Sequence, residues 1–127
     1  MEEKVSVINN TKGKIPRLPF VIYKNKILGK NYNLSIVFVG EKKIHSLNKI
    51  YRKVDSPTDI LSFSLDKSSG ELFICQKLAR KKAKEFERDY NNFIPFLLIH
   101  SMVHLLGYDH GNKMEKEEMK YRKYFNI

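Results

Sequence analysis

Residues Phe93 to Leu106 contain no Lys, Arg, Asp or Glu. A stretch that is apolar on every side predicts a helix buried on most of its faces, because no surface of it is at home in water. The rest of a short chain must then supply the walls. Gly107 follows directly, where a helix often ends in a left-handed turn.

The flanking segments read as those walls. Val5 to Asn9 alternates like a half-buried strand. Leu18 to Leu28 suits a helix, with Pro16 and Pro19 near its first turn, where a missing N–H does least harm. Leu34 to Val39 is the clearest strand, rich in β-branched residues. Glu41 to Val54 places Ile44, Leu47, Ile50, Tyr51 and Val54 on one helical face. Asp55-Ser56-Pro57-Thr58-Asp59 is a turn signal ahead of a strand at Ile60 to Ser64. A second strand, Glu71 to Cys75, follows the loop at Lys67-Ser68-Ser69-Gly70. Leu78 to Tyr90 reads as a basic amphipathic helix, with Leu78, Ala79, Ala83, Phe86 and Tyr90 inside and its cations on a solvated face. Asn91-Asn92 is read as a break. A charged helix from Lys113 to Phe125 closes the chain, with Met114 and Met119 as packing residues. Strands and helices that do not strictly alternate indicate an α+β class. The expected architecture is one compact domain over residues 1–127, a small mixed sheet packed with about five helices.

The chain has 127 residues, which suits one core, and 42% apolar with 30% charged residues excludes a disordered tail. No stretch reaches the roughly 20 apolar residues of a membrane span. The charged start Met1-Glu2-Glu3-Lys4 lacks the features of a secretory signal. A single cysteine, Cys75, forbids an internal disulfide and reads as a buried, inert thiol. A cytoplasmic location is expected. Lys plus Arg number 24 against 14 Asp plus Glu, a net charge of +10. That excess attracts polyanions, nucleic acid foremost. A lysine-rich composition of no functional meaning accounts for it equally well.

Three of the four histidines fall in His100-Ser101-Met102-Val103-His104-Leu105-Leu106-Gly107-Tyr108-Asp109-His110. His100 and His104 are one turn apart and leave the same side of a helix. Gly107 lets the chain reverse, so that His110 folds back toward the pair. Three imidazoles of this kind predict one zinc ion at the end of the buried helix, with a fourth position open to water. Zinc lowers the pKa of bound water to about 7, which is a reason to expect hydrolysis. His45, beside the stripe of its own helix, reads as a solvated or capping residue.

The spacing is similar to the metzincin protease pattern H-E-x-x-H-x-x-G-x-x-H, but position 101 is Ser where the protease has its glutamate base. Peptide hydrolysis by that route is disfavoured. The stretch resembles more fully the YbeY hallmark H-x-x-x-H-L-x-G-Y-D-H. A second block of that family, Y-R-x-x-D-x-P-T-D-V-L-S-F-P, is matched by Tyr51-Arg52-Lys53-Val54-Asp55-Ser56-Pro57-Thr58-Asp59-Ile60-Leu61-Ser62-Phe63, ending in Ser64. A third, G-D-I-x-I, stands as Gly70-Glu71-Leu72-Phe73-Ile74. Ser64 replaces proline and Glu71 replaces aspartate.

The resemblance implies a zinc-binding α+β endoribonuclease specific for single-stranded RNA. It implies a part in maturing the 3′ end of small-subunit ribosomal RNA, association with the small ribosomal subunit, and ribosome quality control. By the same likeness, His100, His104 and His110 are the metal ligands and Arg52 is the functional arginine. A guanidinium fork matches two phosphate oxygens; pairing of Arg52 with Asp55 or Asp59 is the structural alternative. Asp109 either orients a ligand imidazole or stabilises the turn, and Thr58 and Asp59 either line the cleft or cap local backbone. A zinc peptidase and a non-catalytic ribosome-assembly factor are the competing functions.

Overall fold

The computed structural model describes residues 4–127; Met1, Glu2 and Glu3, the charged start read above, lie outside the described residues. In chain order the elements are β1 (Val5–Asn9), α1 (Phe20–Ile27), β2 (Asn33–Phe38), α2 (Glu41–Arg52), β3 (Ile60–Asp66), β4 (Ser69–Ile74), α3 (Gln76–Glu85), α4 (Tyr90–Leu105) and α5 (Asn112–Phe125). The sheet order is β1-β2-β4-β3, with β1–β2 and β2–β4 parallel and β3–β4 antiparallel. A mixed sheet with five helices is the α+β architecture expected from the sequence.

The pleat sends alternate side chains to opposite faces. Leu34, Ile36 and Phe38 join Leu72 and Ile74 on the face that meets α1, α3 and α4. Val37, Leu61 and Cys75 meet Ile44 of α2 on the other. The apolar segment becomes α4, and Phe93, Ile94, Leu98, Ile99, Met102 and Val103 are fully buried along it. It packs against α1, α3, α5 and β3. Each such side chain contributes roughly 1.5–3 kcal/mol on leaving water. Among the described residues no helix is long and apolar enough to cross a membrane.

Several sequence readings need correction. Asn91-Asn92 is not a break: both lie in the first turn of α4, whose N-cap is Asp89 accepting from the Asn91 amide. The break falls at residues 86–89. There the Arg88 amide bonds the Ala83 carbonyl at 2.8 Å and the Glu87 amide bonds that of Lys84 at 3.1 Å. These two bonds form a Schellman motif. Glu87 takes the left-handed conformation, φ 53°, that glycine or asparagine usually marks. Phe86, the C-cap of α3, is 58% exposed, not inside, and Tyr90 belongs to α4. Of the stripe expected for α2 only Ile44 is buried, with Leu47 half-buried, and the polar Asn48 is buried beside them; Ile50, Tyr51 and Val54 are exposed. Tyr51 instead lays its ring edge-on to Phe63 at 5.3 Å. Met114 is buried, whereas Met119 is exposed.

Gly70 shows why a motif residue can be fixed by packing alone. A Cβ there would lie 2.5 Å from the Tyr32 hydroxyl and 3.1 Å from both Leu105 Cδ2 and the Phe63 carbonyl oxygen. The paired backbone of β3 has nowhere to move. Gly70→Ala should therefore destabilise the protein by about 1–3 kcal/mol, the usual range for overpacking. A denaturant midpoint equal to that of the unsubstituted protein would contradict this.

Candidate active site

Helix α4 brings His100 and His104 to its C-terminal end, half-buried and one turn apart. The chain reverses at Gly107, which adopts φ 103°. The reversal returns His110 to the pair. The His110 ring centre lies 5.5 Å from that of His100, with 24° between planes. It lies 5.5 Å from that of His104, with 19° between planes.

Each helix imidazole is held through its Nδ1. His100 Nδ1 lies 2.8 Å from Glu118 Oε1, and His104 Nδ1 lies 2.9 Å from the Tyr108 carbonyl oxygen. A carboxylate and a carbonyl can only accept, so Nδ1 donates in both bonds. In the neutral rings the lone pair is then on Nε2, the tautomer that metal-ligating histidines adopt with such partners. Among the described residues, no three His, Cys, Asp or Glu side chains already form a ready-made cage for a metal. The donor chemistry nonetheless fits zinc: two oriented imidazoles with Nε2 free, and a third ring beside them on an exposed loop.

Arg52 is the last residue of α2 and exposed. It lines a cleft of about 690 Å³ together with His100, His110 and Glu118. Among the described residues Arg52 forms no ion pair. Asp55 is held by His45, whose Nε2 lies 2.7 Å from Oδ1. That hydrogen bond, with Lys49 nearby, keeps the Asp55 carboxyl below the usual carboxylate range. Asp59 accepts from the Ile60 amide at 2.9 Å and from the Thr58 hydroxyl at 3.2 Å. Asp59 thus caps a backbone amide while lining the cleft; Thr58 lines the cleft too, but its hydroxyl bonds the Asp59 carboxylate rather than a backbone group. His45 has the peripheral place expected of it.

Glu118 is the residue that sequence reasoning missed. It is buried on a helix otherwise rich in exposed charge. The available signal is its spacing: Met114, Glu118, Tyr121 and Phe125 form one stripe, and a carboxylate on an apolar stripe needs a partner. Glu71 does not line this cleft; it borders a separate hollow of about 370 Å³ with Ser6 and Ser35. Asp109 is exposed, Ser101 is buried, and Cys75 is buried as expected.

Comparison with known proteins gives this arrangement its class. The solution structure of TM1509 from Thermotoga maritima matches with a TM-score of 0.64 and 25% identity, covering 92% of this chain and 85% of that one. Residues 3–125 match the family described as Endoribonuclease YbeY. An Endoribonuclease YbeY of Oenococcus oeni is 38% identical over 102 residues, 72% of this chain and 67% of the relative. One of Finegoldia magna is 42% identical over 97 residues, 71% of this chain and 63% of the relative. The matched part thus spans about two thirds of these relatives' length. The class is that of the α+β nucleases, hydrolases acting on RNA. Within it, the chain belongs to the YbeY endoribonuclease family.

The hydrogen bonds at Nδ1 have a direct spectroscopic consequence. In nitrogen-15 NMR of the metal-free protein at a pH where the rings are neutral, His100 and His104 should both be Nδ1–H tautomers. Glu118→Ala should free His100 to populate the Nε2–H form and leave His104 unchanged. Predominant Nε2–H signals from both rings in the unsubstituted protein would contradict the bonding described.

Proposed function

We propose that this protein is a zinc-dependent endoribonuclease that cuts single-stranded RNA, with His100, His104 and His110 holding one zinc ion and Arg52 binding the scissile phosphate. The observation that carries this reading is the anchoring of both helix imidazoles through Nδ1, which leaves Nε2 of each without that bond while the His110 ring returns to 5.5 Å from both ring centres. Zinc bound there would supply Lewis acidity toward a phosphate oxygen or an attacking water.

The protein's own groups do the positioning. Glu118 and the Tyr108 carbonyl keep the imidazoles in one tautomer and one orientation. The Arg52 fork, free of a carboxylate partner among the described residues, grips two phosphate oxygens in the same cleft. Ser101 offers no carboxylate where a metzincin peptidase has its base, and it is buried, so the peptidase reading has no support here. The biological setting proposed is the cytoplasm, in maturation of the 3′ end of small-subunit ribosomal RNA and in ribosome quality control, with the small ribosomal subunit as partner. The family match, the +10 charge and the single buried thiol support that setting.

Arg52→Ala should lower cleavage of a single-stranded RNA by roughly 100- to 1000-fold, the scale of removing one preorganised electrostatic contact. Zinc content by elemental analysis should not change. Undiminished cleavage would remove Arg52 from the site. His104→Ala should lose both zinc and cleavage, and cleavage persisting in the metal-free variant would remove zinc from the chemistry.

Glu118→Ala should weaken zinc about 10- to 100-fold in competition with a chromogenic chelator, the usual effect of losing the group that orients a ligand. Unchanged affinity would show that the His100–Glu118 bond serves packing only.

A further inference from the structure

The cleft that holds His100 and His110 extends to the α3–α4 turn, where its wall changes character. Phe86, Phe93 and Phe96 line that end. Phe93 and Phe96 are spoken for. Their rings stack at 5.7 Å, and the Arg88 and Arg122 guanidinia lie 4.4 and 5.0 Å from the Phe96 ring centre. Phe86 differs. It touches Phe93 at 6.0 Å with the planes 36° apart and leaves more than half of itself in solvent.

Charge follows the same line. Lys82 stands one turn before Phe86 on α3, exposed and on the same helical face. Arg52, Lys82 and Arg122 come from three different helices to one cleft. Among the described residues none of the three has an ion-pair partner. Of the carboxylates lining the cleft, Asp59 and Glu118 are committed to the bonds already described, and Glu115 is at the first turn of α5.

We propose that Phe86 is a stacking platform for one unpaired base of the RNA, with Lys82 taking the phosphate beside it. The proposal rests on the endoribonuclease reading above and deepens it. An aromatic ring offers its face to any base that is not already stacked in a helix, and cations track the phosphates between bases. In a duplex every base is stacked on its neighbours, so a site that requires a free base face selects single strands. The platform is continuous with the histidine end of the cleft, so the stacked nucleotide lies near the bond to be cut.

The test uses full-length protein, zinc-loaded, with a short single-stranded RNA carrying 2-aminopurine and made resistant to cleavage. The unsubstituted protein should change the probe's fluorescence with a stacking signature and should leave the same sequence in duplex form unaffected. Phe86→Ala should bind about tenfold more weakly, in line with the loss of one stacked base, and should lose the fluorescence change. Phe86→Trp should restore both, while Phe86→Leu, apolar without a π face, should not.

On cleavable RNA the loss in Phe86→Ala should fall mainly on KM, unlike that of Arg52→Ala. Lys82→Ala should reduce the slope of log affinity against log salt by about one, a readout that does not depend on how Phe86→Ala folds. Equal affinity and fluorescence in Phe86→Ala, with normal binding and cleavage by the unsubstituted protein, would overturn the platform and leave the nuclease reading intact. Loss of self-association in Phe86→Ala with RNA affinity unchanged would overturn it in favour of a contact between copies. Failure of the unsubstituted protein to bind or cut single-stranded RNA would overturn the function proposed above as well.

Discussion

The burial of α4 is the constraint from which the rest of the structure follows. Its side chains have no tolerable exposure from Phe93 to Val103 apart from the half-open positions Phe96 and His100. The sheet and helices α1, α3 and α5 must therefore close around it. A helix packed on all sides has little freedom to rotate or slide, because interiors are close-packed. Two histidines in its last turns inherit that rigidity. Sites built on a locked element hold their geometry better than sites built on loops, and here two of the three imidazoles have that support.

The third imidazole sits on the loop, and α5 supplies what the loop lacks. The stripe Met114, Glu118, Tyr121 and Phe125 docks α5 against the core, and docking carries the Glu118 carboxylate to His100. Burying a carboxylate is costly unless its oxygens are bonded, so the bond to His100 is a condition of the docking as well as an aid to the site. Tyr108 ties the loop at a second point: its carbonyl accepts from His104 and its hydroxyl donates to Glu117 at 3.1 Å. That last bond, with the negative charge of Glu117, raises the Tyr108 hydroxyl above its ordinary pKa. Packing of the last helix and orientation of the imidazoles are therefore one event.

Much of this is legible in the amino-acid sequence alone. The uncharged apolar run at 93–106 reads as a helix buried on most faces, which holds as far as Val103, and the HxxxHxxGxxH spacing can bring three rings together only if Gly107 reverses the chain, which its positive φ allows. Legibility fails where the chain departs from its usual punctuation. The end of α3 is a Schellman motif without glycine, so nothing in the residues at Phe86-Glu87 announces it. The asparagine pair further on reads as the break because asparagine favours caps and turns, but Asp89 already takes the cap. Glu118 is hidden for a different reason. Its neighbours are charged as well, Lys116 exposed and Glu117 half-buried against Tyr108 and Lys120, and only the period of the buried residues around Glu118 separates it from them.

The early end of α3 also decides what the turn presents to the cleft. Phe86 keeps its helical amide bond to the Lys82 carbonyl at 3.1 Å and so stays on the Lys82 face of α3, while the reversal at Glu87 turns Arg88 back over the Phe96 ring. The stop requires a glutamate at φ 53°, a conformation that costs a non-glycine residue roughly 1 kcal/mol or more. One exposed phenylalanine is ordinary on any surface. An exposed phenylalanine at a strained turn, leaning on the Phe93 ring at the edge of a cleft that Lys82 and Arg52 also line, is a different matter, because its packing on Phe93 leaves more than half of it facing solvent beside those cations. Recognition of a flat, apolar-faced, anionic ligand accounts for the ring and the cations together, and an unpaired nucleotide has that chemistry.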